Sequence, residues 1–395
     1  MTSSLHDEAA GADMESRRTP KILCVAGARP NFMKVGPILR VLRNRGRFVA
    51  KLVHTGQHYD ARLSKVFFDD LRIPRPDFEL AVGSGSHAIQ TAEIMRRFEP
   101  VLREEQPEAV LVVGDVNSTI ACALVAAKFE LDRPFATALG IRRRPLTIHV
   151  EAGLRSFDGD MPEEVNRRLT DAVSDLLFVS DPAGMANLDR EGVPAARCFF
   201  VGNVMIDALL AARTEAMKSP ILETLGLGDR PYALVTLHRP SNVDDLAGLT
   251  ALLGTLDEIA HRLPIVFPIH PRTRAKLSAS GHALDPRRWC VSDPLGYLDF
   301  VKLTAQASVV LTDSGGVQEE TTVLGVPCIT LRDSTERPVT LTEGTNRLAG
   351  TDREAILGAF AESHGARTGR VPRFWDGRAA ERIEQTLAEI FHASR

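Results

Sequence analysis

LTDSGGVQEETTVLGVPCIT, residues 311–330, reads as the end of a strand, a turn, a helix and a second strand. Asp313 closes an apolar run, Ser314-Gly315-Gly316 makes the turn, and a helix follows before the apolar run that begins at Pro327. Glycines let backbone N–H groups approach a ligand closely, and a helix N-terminus adds partial positive charge, so this turn suits a phosphate. Glu319 and Glu320 lie in the first turns of the helix, where one of them suits ribose hydroxyls. A plain strand–turn–helix with Ser314 as its cap accounts for the same residues without any ligand.

Outward from this unit, the same alternation fills the chain. KILCVAGA (21–28), KLVHTG (51–56), AVLVVGD (109–115), TIHVEAG (147–153), LLFVSD (176–181) and CFFVGN (198–203) are apolar runs, with helix-period segments between several of them. YALVTLH (232–238), IVFPIH (265–270), WCVSD (289–293), SVVLTDSGG (308–316) and PCITLR (327–332) continue the pattern. Runs of Val, Ile and Leu without polar alternation suit strands covered on both faces. Strand–helix alternation along the whole chain predicts an α/β fold of two doubly wound parallel sheets. Residues 1–19 are expected to be a disordered extension, 20–200 a first Rossmann-like domain and 201–376 a second. The amphipathic segment 377–395 is expected to pack back onto the first domain.

Composition bounds the function. The chain has 395 residues, with 48 Lys and Arg against 51 Asp and Glu, for a net charge of −3. That balance lacks the basic surplus that nonspecific nucleic-acid binding needs. Tyr (3) and Trp (2) are too scarce for base-stacking platforms. No apolar run reaches the roughly 18 residues of a membrane span, and the first residues have no apolar core of a secretory signal. Five widely spaced cysteines point to small buried hydrophobes, not disulfides or zinc. These features describe a soluble, cytoplasmic protein with no membrane or nucleic-acid partner.

In doubly wound sheets, ligands bind beyond the carboxyl ends of strands. The residues closing the strands are Arg29, Gln57, His58, Asp115, Glu151, His238, His270 and Ser314. GARPNFMK (27–34) adds Lys34 to a second anion-suited turn. Asp115, Glu151 and Glu163 are the informative carboxylates, since acids gathered in a cleft raise one another's pKa and suit proton transfer. Helix capping is the plainer reading of Asp115, and a favourable first-turn charge that of Glu163. His238 and His270 suit phosphate contact or acid–base work, though a satisfied histidine at a strand end is the plainer reading of each alone. No metal-ligand spacing, dinucleotide fingerprint, nucleophile elbow or P-loop is present.

Taken in order, the blocks GARPNFMKVGPI, TGQHYD, GDVNST, HVEAGLRSFDGDMPEEVNRRLTD, VGNVMIDAL, LVTLHRPSNV, PIHPRTR, LTDSGGVQEE and RDSTERPVTLTEGTNRLAG make the chain resemble the non-hydrolysing UDP-N-acetylglucosamine 2-epimerases from about Lys21 to Phe391. The resemblance implies a GT-B-like pair of domains with the site in the cleft. It implies inversion at C2 of a UDP-sugar by elimination and re-addition of UDP through a 2-acetamidoglucal, without a cofactor, and it implies a homodimer. It makes Asp115, Glu151 and Glu163 the acids and bases, with His238 beside the phosphates. Arg29 and Lys34 resemble first-domain anion contacts, and Ser314, Gly315 and Gly316 the diphosphate turn. Glu320 resembles the ribose contact, Phe300 the ring against uracil, and Arg337 a further cleft contact. Gln57, His58, Arg155 and His270 join the substrate-binding set.

Three features depart from the family pattern. Asp115 and Glu151 stand 36 residues apart, with extra sequence at FATALGIRRRPLT (135–147) whose arginines, if at the cleft edge, suit an additional carboxylate on the sugar. That feature carries a second reading, a UDP-diacetamido uronic acid as substrate. The same residues also allow release of free sugar plus UDP, as in hydrolysing relatives, or the transfer chemistry of a GT-B glycosyltransferase. TGQHYD replaces the TGQHRE of members that their substrate activates allosterically, and Asn31 stands where many members carry Glu.

Overall fold

The computed structural model describes residues 18–57, 73–363 and 369–392, and of Arg29 the backbone alone. All but the last two residues of the expected N-terminal extension, and His58, lie outside that set. Among the described residues, the first half carries β1 (Lys21–Ala26), β2 (Val49–His54), β3 (Phe78–Glu79), β4 (Ala109–Val113), β5 (Phe135–Thr137), β6 (Gly140–Arg142), β7 (Leu146–Ala152), β8 (Leu176–Val179) and β9 (Cys198–Phe200). The second half carries β10 (Ala233–Thr236), β11 (Ile265–Pro268), β12 (Trp289–Ser292), β13 (Val309–Thr312), β14 (Cys328–Thr330) and β15 (Asn346–Leu348).

Two parallel sheets result, in the orders β3-β2-β1-β4-β7-β8-β9 and β12-β11-β10-β13-β14-β15. Every residue of β4 and β7 is buried, as helices on both faces require of unalternated apolar strands. Each sheet starts in its middle and reverses direction once, between β1 and β4 in the first and between β10 and β13 in the second. A crevice opens beyond the strand ends at such a reversal. The loops after β1 and β4 lead to Lys34 and Asp115; those after β10 and β13 carry His238 and Ser314.

β5 and β6 do not follow from the apolar runs. They form an antiparallel hairpin outside both sheets, docked on the C-terminal helix Ala379–His392. Ala138 N–H donates to the Ile390 carbonyl at 2.8 Å, and the rings of Phe135 and Phe391 stack 6.0 Å apart. Arg142 and Arg144 pair with Asp175 at 2.6 and 2.9 Å. Asp175 precedes β8, at the end of the sheet opposite the strand termini that carry Asp115 and Glu151. The arginine-rich insertion is therefore not at the cleft edge.

The chain passes into the second sheet by the helix Val204–Ala216 and comes back by Ala379–His392. Both helices share one apolar core with the first sheet. Asp207 accepts from the Ala379 and Ala380 N–H groups at 3.1 and 2.7 Å, capping the returning helix. Glu384, wholly buried, receives Arg45 and Arg47 at 2.7 and 2.6 Å. Gly202 has φ +89, and a Cβ there would overlap the Phe374 carbonyl, so only glycine lets the outgoing and returning segments touch.

Candidate active site

Glu151 sits on a β-bulge. The pairing of β7 with β8 shifts between Val150 and Ala152, and Glu151 itself has φ +71. A non-glycine residue in that region is strained, and bulges next to active sites re-aim a side chain. Here Glu151 pairs with buried Lys34 through Oε2 and accepts from Arg337 Nη2 at 3.1 Å through Oε1. Lys34 belongs to the first domain and Arg337 to the second, so Glu151 lies where the two domains meet.

Arg337 has further contacts. Its Nε donates to Glu319 Oε1 at 2.5 Å, and Nη1 lies 3.4 Å from Glu336 Oε2. Its guanidinium also packs on the Ser-Gly-Gly turn: a Cβ at Gly315 would come within 2.5 Å of Nη1. Ser314 makes no side-chain cap to its helix, so capping does not explain the turn. Burial disfavours the charge on Arg337, but Glu319, Glu151 and Glu336 outweigh it and hold the guanidinium strongly protonated.

Glu336 is a centre that the sequence alone does not single out. It is buried, receives Arg332 at 3.0 and 2.8 Å, and has Arg239 and Arg167 at 3.7 and 3.9 Å. Burial works against its charge, yet Arg332, Arg337 and Arg239 hold its carboxyl far below the usual range. Arg167, from the helix Pro162–Val173, also donates to Asp115 Oδ2 at 3.0 Å and to Glu164. Asp115 is about one-third exposed, which leaves it open to the cleft.

The two acids of MPEEVNRRL divide the work. Glu164 is the buried one, and it accepts from the Ser156 and Phe157 N–H groups at 2.9 and 3.3 Å. Glu163 is exposed at the helix start and takes no part in that network.

In the second domain, His238 N–H and Arg239 N–H donate to Asp313 Oδ2 at 3.0 and 2.9 Å. His238 Nδ1 lies 2.8 Å from Asp313 Oδ1 while the ring stays about half exposed. Burial raises the Asp313 carboxyl, but the His238 bond and the backbone donors more than offset it and hold it below its ordinary value. Nδ1 therefore carries the hydrogen, and Nε2 is left for the cleft. Asp313 stands in TDSGG, where the sequence marks it only as a strand end. A buried acid behind a strand-end histidine is the signal that would have found it.

Glu320 is buried and receives the Tyr297 hydroxyl at 3.3 Å. Burial pushes its carboxyl up to about 7, Tyr297 opposing and Glu319 adding to the rise. Phe300 is half-buried one turn from Tyr297 on the helix Tyr297–Gln306.

Other expected contacts are committed elsewhere. Arg155 is buried inside the first domain against Glu191 at 2.7 Å, Asp171 at 2.7 Å and the Leu154 carbonyl at 2.7 Å. With its donors held there, it is a brace for the loop after β7 rather than part of the Glu151–Arg337 cluster. Gln57 Oε1 accepts from Ser118 N–H and Oγ at 3.1 and 2.8 Å, tying β2 to the helix after Asp115. His270 is exposed, and its Nδ1 accepts from Arg272 N–H at 3.3 Å at the start of Pro271–Ser280. Gly316 is half-buried beside Met205, with ordinary room for a Cβ. The Arg29 side chain and His58 lie outside the described residues. Among the described residues, no group of three or more His, Cys, Asp or Glu is placed to hold a metal ion, and no helix is long and apolar enough to cross a membrane.

Comparison with known proteins gives the family. The sequence model of the UDP-N-acetylglucosamine 2-epimerases matches residues 40–388. The UDP-N-acetylglucosamine 2-epimerase of Methanocaldococcus jannaschii is 38% identical, over 93% of this chain and 98% of the relative. The UDP-2,3-diacetamido-2,3-dideoxy-D-glucuronate 2-epimerase of Pseudomonas aeruginosa is 40% identical, over 94% of this chain and 100% of the relative. A crystal structure of the M. jannaschii UDP-GlcNAc 2-epimerase in complex with UDP-GlcNAc and UDP superposes with a TM-score of 0.83 at 39% identity, covering 93% of this chain and 99% of that one. With two Rossmann-like domains in a GT-B-like arrangement and a family match over most of its length, this chain belongs to the UDP-N-acetylglucosamine 2-epimerase family.

Proposed function

We propose that this protein interconverts UDP-N-acetylglucosamine and UDP-N-acetylmannosamine. The observation that carries the reading is Arg337, which packs on the anion-suited Ser314–Gly316 turn of one domain and reaches Glu151 of the other. C2–H has no carbonyl beside it and is weakly acidic, so its loss must accompany departure of the leaving group. A carboxylate of the set Asp115, Glu151 and Glu163 takes the C2 proton as the C1–O bond breaks and UDP leaves with the bonding pair. A C1=C2 double bond forms, giving a 2-acetamidoglucal.

UDP oxygen then attacks C1 while a second acid delivers a proton to the opposite face of C2. Charge grows on the departing diphosphate, and preorganised donors aimed at it are the largest source of such catalysis. His238 Nε2, Arg337 and the Ser314–Gly316 turn are those donors, and Lys34 is the first domain's cation. Glu320 takes the ribose and Phe300 the uracil. The chemistry uses no cofactor, and the working form is a homodimer. Val165 and Leu169, 47% and 50% exposed one turn apart, supply an apolar stripe that supports pairing of two copies.

Incubation with UDP-N-acetylglucosamine in deuterated water, followed by NMR at C2, tests the reading. Epimerisation with deuterium at C2 and UDP still attached is expected. Free N-acetylmannosamine with released UDP would instead assign hydrolysis, and absence of exchange would sink this substrate. The P. aeruginosa relative supports a second reading, the same chemistry on a UDP-diacetamido uronic acid. Arg142 and Arg144 give that reading no support, since both are paired with Asp175.

A further inference from the structure

Glu319 is enclosed by protein, and Arg337 is the one side chain that donates to its carboxylate among the described residues. Its second oxygen, Oε2, is buried without a hydrogen-bond partner among them. A carboxylate held in the interior with one oxygen unpaired is costly, and a neutral side chain of the same volume avoids that cost. The hydrogen bond the Glu319 carboxyl keeps among the described residues is to Arg337 Nε. Arg337 differs from the other cations around Glu336 in what it touches: Nη1 packs on Gly315 and Nη2 reaches Glu151 across the cleft. A guanidinium turns about the bond to Nε, so fixing Nε fixes the plane and both outer nitrogens.

We infer that Glu319 is a positioning residue: it anchors Arg337 Nε and thereby aims one guanidinium at Glu151 and at the Ser314–Gly316 turn together. The inference rests on the proposed reading only for the choice of UDP as ligand. Among the described residues Glu319 makes no side-chain hydrogen bond to Glu151 or to the turn, so the hydrogen-bonded route from it to both runs through Arg337.

A double-mutant cycle on the full chain tests this, using E319A, R337A and E319A/R337A, with UDP affinity by calorimetry and epimerisation kinetics. E319A is expected to weaken UDP binding by about fivefold and to lower kcat by about tenfold, and the double variant to fall within about twofold of R337A alone. Losses that multiply in the double variant would overturn the inference. E319Q keeps an oxygen for Nε and is expected to restore UDP affinity to within about threefold of the native chain. Affinity as weak as that of E319A would count against it. Should E319A fail to fold, E319D, with a shorter reach to Nε, takes its place in the cycle. A native chain that binds UDP without epimerising sinks the proposed function, and the affinity arm of the cycle still decides the role of Glu319.

Discussion

His238 Nδ1 lies 2.8 Å from Oδ1 of Asp313, and Asp313 is wholly buried behind it. The two stand at the ends of adjacent strands, β10 and β13, where the second sheet reverses. The strand order itself therefore builds the pair, and Nδ1 is the ring nitrogen it engages. Asp313→Asn presents a neutral amide to the ring and leaves both its tautomer and its charge without support. We predict a fall in kcat of about 10²-fold with a smaller loss of UDP affinity, as expected for loss of one preorganised donor to charge that grows on the departing diphosphate. Steady-state kinetics beside calorimetry checks this, and an unchanged kcat would remove His238 from the proposed chemistry.

Glu320 gives a pH prediction. Its carboxyl is pushed up to about 7, so it loses its charge as pH falls through that value. Ribose hydroxyls donate to the ionised form. Affinity for UDP-N-acetylglucosamine should therefore rise as pH increases from 6 to 8, and the ligand's diphosphate diester does not titrate in that range. Calorimetry on the Asp115→Asn background, where turnover is expected to stop, measures it. Glu320→Gln should bind more weakly and lose the rise.

Arg142 and Arg144 are paired with Asp175 beside the start of β8, away from the cleft. Replacing both with Ala should leave kcat/KM within about twofold, as for sites without shared partners. The pairs are half-buried, so a stability loss of about 1–3 kcal/mol is expected, the range for hydrogen bonds to charged groups. A rise in KM would restore the insertion to the substrate site.

Asp207 caps the helix that returns to the first domain. Burial lifts its carboxyl from 3.8 to about 6, backbone donors opposing the rise. The folded chain thus holds this proton more tightly than the unfolded chain. The resulting stability is fully present below the unfolded value and is lost as pH rises through about 6. Urea unfolding of Asp207→Ala should show a loss of about 1–2 kcal/mol, the size of a missing helix cap. Asp207→Asn should flatten the pH dependence between 4 and 7.

Much of this fold was legible because buried parallel strands are written as uninterrupted Val, Ile and Leu runs. Those runs located the longer central strands, including β1, β4, β10 and β13, whose order creates the two crevices. β3 and β15 are only 2 and 3 residues long and carry no such signal. Candidate site residues were legible wherever a polar residue directly ended a strand, as at Asp115, Glu151, His238 and Ser314. Residues that act on those residues were not. Asp313, Glu319 and Glu336 are defined by contacts made across loops or between domains, and no local spacing encodes such contacts. Asn31 shows the reverse case. It stands where many relatives carry Glu, and the geometry explains it: its Oδ1 accepts from Gly27 and Ala28 N–H at 3.1 and 2.9 Å, while Nδ2 donates to the Val113 carbonyl at 3.1 Å. A carboxylate has no hydrogen to make the last bond. Arg155 is a related case, since an arginine a few residues past a strand end looks the same in sequence whether it meets a ligand or, as here, neighbouring acids.

The contact between Gly202 and Phe374 has a mechanical meaning. A pair of domains joined by one length of chain can roll, slide and twist about it. Here the outgoing and returning segments lie against each other, pinned by Asp207 at the start of the last helix. Two adjoining straps leave one easy freedom, rotation about the line they share. Whatever strain the two domains put on each other is then confined to that line, which keeps Lys34 and Glu151 of one within reach of Arg337 of the other.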